Sequence, residues 1–162
     1  MPHAHPLLAV ILALSSAPAP STAPCRPAHL SPQAAVLVRS VLSEYFAAHA
    51  ESHDDSGVYI GESPHYETFE KRFSELLASH GKPADEAIAA LLCFYVGEHP
   101  AEELICEALA RQKSIRPFLQ RFRACPPLPG LEPIPPFFTA IPNLREEVLA
   151  RIAAGKGPCQ YD

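Results

Sequence analysis

The chain of 162 residues has room for one domain, and 48 % apolar residues give it the material for a core. A net charge of −5 argues against a nucleic-acid binder, which needs a basic footprint. No run approaches the ~20 consecutive apolar residues of a membrane span.

The N-terminus opens with MPHAHP and then LLAVILAL, Leu7 to Leu14, followed by SSAPAPSTAP. A short apolar core before small-residue cleavage options is the layout of a secretory signal peptide. Residues 1–23 are therefore expected to be removed and the protein exported, to a periplasm or the extracellular space. The n-region lacks Lys and Arg. Ala17, Ala19 and Ala23 each precede a proline, which leaves Ser16 as the unhindered cleavage option. No transmembrane segment is expected in the mature chain.

Ser31-Pro32 is a helix start, a hydroxyl N-cap before proline at the first helical position. Leu37, Val38, Val41, Leu42, Tyr45 and Phe46 then recur with helical spacing, which predicts a first helix from Pro32 to His49. His49 and His53 stand four apart, with Asp54 and Asp55 beside them. That spacing suits a metal-dependent activity if the helix continues. Otherwise the stretch is a helix end and a loop, as Ser52, Asp54, Ser56 and Gly57 suggest. Ser63-Pro64 repeats the start signal, and Tyr66, Phe69, Phe73, Leu76 and Leu77 form the stripe of a second helix that Gly81 stops.

A third helix is predicted from Ala84 to Val96. It has almost no polar face after Asp85 and Glu86, so it belongs at the centre of the core. The fourth runs from Pro100 to Gln112, with Glu102 and Glu103 in its first turn. The fifth runs from Ile115 to Ala124. Residues 126–142 are too rich in proline to be helical and too apolar for a solvated linker, so they read as an extended strap on the helices. Asn143 and Glu146 resemble a capping box that opens a sixth helix, and Gly155 ends it.

The fold class is thus all-α. Residues 24–162 form a single compact bundle of five to six helices, with a Pro-rich strap before the last. A short α-solenoid-like stack is the alternative. The layout is similar to that of small exported helical proteins that bind and block a partner, such as periplasmic immunity proteins, although no motif carries the likeness.

Five cysteines occur, with no C-x-x-C pair. Cys93 and Cys106 lie equidistant from the turn at Gly97 to Pro100, which predicts a staple between the third and fourth helices. Cys125 and Cys159 would form a second, leaving Cys25 over. The serines fall at cap positions, and no nucleophile elbow, phosphate loop or cofactor motif appears. His99 with Glu102 and Glu103 reads as a capped helix start.

Arg111, Lys113, Arg116, Arg121 and Arg123 are different. They place five bases in thirteen positions with no acid between, in an acidic chain. Arginine suits carboxylate recognition. The sequence therefore points to a non-enzymatic binding protein, inhibitor-like, whose partner is a protein with an acidic surface. Carriage of a small apolar ligand within the bundle is an alternative, as is the metal chemistry at His49 and His53.

Overall fold

The computed structural model describes residues 28–122, 126–131 and 144–159. Among the described residues there are six helices: α1 Pro32–Ser52, α2 Pro64–Ala78, α3 Lys82–Leu91, α4 Glu98–Ala110, α5 Gln112–Arg121 and α6 Leu144–Ala153. Residues 1–23, Cys25, Arg123, Cys125, Asn143 and most of the strap lie outside the described residues.

The start signals act as read. Ser31 accepts the amide of Ala34 and Ser63 that of His65, each with proline next in the chain. α1 pairs with α2, and both α1 and α5 pack on α3, while α4 packs on α6. All residues from Ala84 to Leu91 are buried, so α3 is the centre of the core. Four of them are alanines, whose small side chains let the neighbouring helix axes approach closely. The described part of the strap also lies on the helices. Leu128 is fully buried, and the Pro129 carbonyl accepts from Arg39 at 3.0 Å.

Most boundaries differ from expectation by two to five residues, and three of the differences shape the fold. α2 ends at Ala78 with Ser79 as its cap, and Gly81, at φ +100°, opens α3 rather than closing α2. α3 stops at Leu91, because the chain tightens into i→i+3 bonds: Cys93 donates to Ala90 and Phe94 to Leu91. The fourth helix starts two residues early, behind Gly97 at φ +94°. In both glycines the positive φ is one that a Cβ disfavours.

The tightened turn corrects the disulfide assignment. The predicted Cys93–Cys106 staple required Cys93 on a helix facing α4. Instead Cys93 follows the helix end and is buried in the core. α4 packs against α6, so Cys106 meets the segment after α6 and bonds to Cys159, with Cα atoms 5.1 Å apart. The proposed Cys125–Cys159 bond is excluded by the same pairing.

The Cys106–Cys159 bond spans 53 residues of sequence. On the chain-entropy account, closing such a loop contributes about 4 kcal/mol. We predict that Cys106→Ser with Cys159→Ser lowers unfolding free energy by up to that amount. Non-reducing peptide mapping of the parent protein should recover a Cys106–Cys159 peptide; recovery of Cys106 linked to Cys93 would contradict the fold.

Candidate binding cleft

The basic run divides when placed on the structure. Arg111 is an internal strut, with its side chain only 8 % exposed. It donates to Asp85 at 3.1 Å, to Glu107 at 2.5 Å, and to the carbonyls of Leu77 and Ser79 at the end of α2. Those carbonyls have no partner further along α2, so Arg111 serves as its C-terminal cap. With its guanidinium committed to these partners, its side chain offers little surface for a contact. Arg121 pairs with Glu86 and lies over the rings of Phe118 and Phe122, at 5.2 and 4.7 Å from their centroids. Lys113 and Arg116 are exposed on α5. They flank a hollow of about 530 Å³ bordered by Lys82, Ser114, Pro117 and Arg121. Arg145 on α6 is a second buried strut, donating to the Leu119 carbonyl of α5 at 2.5 Å.

Glu86 is 2 % exposed. It accepts from the Ser31 amide at 3.0 Å and the Ser31 hydroxyl at 2.6 Å, as well as from Arg121. Burial pushes its carboxyl up. The Ser31 donors and the Arg121 guanidinium outweigh that and hold it below the usual carboxylate range.

The histidine pair stacks and does not converge on one point. α1 ends at Ser52 and His53 is the extended cap. The two imidazoles stack with centroids 4.2 Å apart and planes 10° from parallel. Ring lone pairs lie in the ring planes, so stacked rings do not converge on one ion. His53 Nδ1 is 2.9 Å from the Ser52 hydroxyl and 3.1 Å from the His49 carbonyl. Burial first, and the neighbouring His53 second, lower the pKa of His49. Asp54 accepts from the Ser56 amide and hydroxyl and from the Val58 amide, which makes it a turn former. Among the described residues, no three His, Cys, Asp or Glu side chains form a cluster fit for a metal.

A second polar cluster joins α1 to α2. His65 Nδ1 lies 2.6 Å from Glu44, and its Nε2 lies 3.4 Å from Glu51. Arg72 also reaches Glu44, at 3.3 Å. The Glu44 hydrogen bond, with Glu51 adding to it, raises the His65 pKa. Ser63 donates its hydroxyl to Glu51 at 2.6 Å and accepts the His65 amide, which ties the start of α2 to the end of α1. His99 and Glu103 pair one turn apart at 3.2 Å on α4.

A further concavity lies between α2 and α4. Tyr66, Phe69 and Phe73 follow one another along α2 and meet Tyr45 of α1, with Tyr45 and Phe69 centroids 5.0 Å apart. The early end of α3 swings Val96, Gly97 and the first turn of α4 over these rings. The result is a cleft of about 410 Å³ with aromatic walls, rimmed by Glu70, Ser74, His99 and Glu103. Gly97 sits against it, where a Cβ would lie 3.7 Å from the Tyr45 hydroxyl. A second hollow, of about 490 Å³, continues from Tyr66 and Glu70 past Glu62 and Glu67 to Tyr59. Tyr59 belongs to a loop closed by a bridge to His53, which leaves Val58, Tyr59 and Ile60 more than half exposed. These hollows are clefts open to solvent, not a chamber between helices of the kind an apolar-ligand carrier requires.

The sequence reading took Tyr66, Phe69 and Phe73 as core stripe, which Phe69 and Phe73 also are. The available signal was Val58-Tyr59-Ile60, an apolar triplet in an otherwise polar loop. No helix among the described residues is long and apolar enough to cross a membrane. The chain matches no protein-family model, no curated protein and no solved structure.

The Glu86 geometry makes a pH prediction. A folded-state pKa held below the unfolded value, ~4.3, contributes stability above that pH and loses it as the pH falls through the folded value. Glu86→Gln should therefore be less stable than the parent at about pH 7, with the gap closing as the pH falls below the unfolded value. Urea unfolding of both proteins across that range measures it; a gap that does not change with pH would contradict the assignment.

Proposed function

We propose that the chain is an exported, non-enzymatic helical binding protein, inhibitor-like, that seats its partner in the cleft between α2 and α4. The observation that carries this reading is the aromatic cleft itself. Tyr66 is partly exposed and stands against Phe69, Phe73 and Tyr45, which are packed in the core, so the surface it offers carries little ordering cost. Aromatic residues in well-packed pockets are the usual anchors of protein interfaces. The exposed Val58, Tyr59 and Ile60 extend the apolar surface alongside. The disulfide between Cys106 and Cys159, and the signal-like N-terminus, support export.

A second reading keeps an acidic partner on α5. Lys113 and Arg116 remain exposed beside the Lys82–Arg121 hollow and favour it. In both readings recognition, not chemistry, is the task.

A photo-reactive benzoylphenylalanine placed in turn at the position of Ser74, Arg116 or Ala153 separates these readings. Ser74 lines the cleft, Arg116 marks α5, and Ala153 is an exposed control on α6. Irradiated in the exported fraction, the Ser74 position should give a discrete protein adduct and Ala153 none, and intact mass should show that residues 1–23 have gone. An adduct from Arg116 alone would transfer the site to α5. Equal adducts from all three positions, or none, would reject both surfaces.

A further inference from the structure

The charges along the cleft are one-sided. Glu62, Glu67, Glu70 and Glu103 line the two adjoining hollows, and neither hollow has a lysine or arginine in its walls. The one basic group, His99, is 80 % exposed and already lies 3.2 Å from Glu103. Among the acids stand Tyr59, 57 % exposed, and Tyr66, partly exposed, with Tyr45, Phe69 and Phe73 buried behind them. Accessible tyrosine rings within a carboxylate rim are complementary to a cation on an apolar stem. The ring faces attract the charge, the rim neutralises it, and the stem covers carbon.

The two hollows share Tyr66 and Glu70, so they form one trough along α2. Its α2 wall runs from Pro64 to Ser74. Ten residues of helix measure roughly 15 Å. An extended chain of about five residues covers that length at ~3.3 Å per residue, with alternate side chains pointing into the trough.

Taking the cleft as the binding site, we infer that its occupant is an extended basic peptide segment of a partner protein. Two Lys or Arg side chains, two residues apart, enter the hollows and lie against Tyr59 and Tyr66. The segment's charge sets its orientation and makes its affinity dependent on salt.

The test uses the protein as isolated, with its disulfide intact, and a fluorescent pentapeptide carrying Lys at positions two and four and Leu between them. Binding read by anisotropy should weaken about tenfold or more when both lysines become norleucine. Glu70→Gln with Glu103→Gln should weaken the lysine peptide about tenfold and flatten its salt dependence. Ser74→Trp should abolish binding by filling the cleft, with the melting temperature unchanged. Equal binding of the norleucine peptide, or indifference to the Gln substitutions, overturns the inference. So does equal competition by free lysine amide at the same concentration, which would mark a site for small amines rather than a segment. If the Ser74 position still crosslinks to a protein while the lysine peptide fails, the cleft stands and its cationic occupant does not. If both fail, the binding reading falls with it.

Discussion

Two adjacent acids on the most buried helix organise this protein. Asp85 closes the first turn of α3 and Glu86 follows it, 7 % and 2 % exposed. A carboxylate taken out of water is costly unless it is paired and hydrogen-bonded. Each acid therefore draws its partners to a fixed place. Asp85 takes Arg111, which in turn ties off the end of α2 and holds the junction between α4 and α5. Glu86 takes the start of α1 through Ser31 and the end of α5 through Arg121. Four helices are thus referenced to one turn of a fifth. Among the described residues no buried side-chain polar atom lacks a partner.

The cleft is a consequence of how α3 ends. Once it tightens after Leu91, the chain has to emerge over the exposed edge of the α2 stripe. Gly97 makes the turn that α4 needs, and the Cys106–Cys159 bond ties the middle of α4 to the C-terminal segment. The aromatic floor is therefore rigid below and walled by a helix that is itself fastened. Such preorganisation favours recognition, since little freedom is lost when a partner docks.

The helices were legible because their signals are local. Ser31-Pro32 and Ser63-Pro64 each specify a start, and the unbroken apolar run from Ala87 to Leu92 specifies burial. What escaped was set by partners distant in sequence. Arg111 reads as one of a basic cluster, because Asp85 lies 26 residues away and the α2 carbonyls 32 and 34 away. Asp85 and Glu86 read as the polar start of a helix, although their burial was the stronger clue: two acids opening an otherwise apolar helix must bring cations with them. The disulfide assignment failed for a related reason. Equidistance from a turn predicts contact only if both helices reach the turn, and α3 stops before Cys93. The cleft escaped because a core stripe and a binding floor use the same residues at the same spacing, and only the position of α4 separates them.

The central claim is that a buried acid pair positions the helices through its cationic partners. A double-mutant cycle on Asp85→Ala and Arg111→Ala, followed by denaturant unfolding with the disulfide intact, tests it most directly. Removing either partner alone should cost about 3–5 kcal/mol, because the other charge is left buried. The double variant should recover part of that loss, giving a coupling of about 2 kcal/mol or more. Losses that add to within about 0.5 kcal/mol would show that the two side chains act independently and would contradict the account.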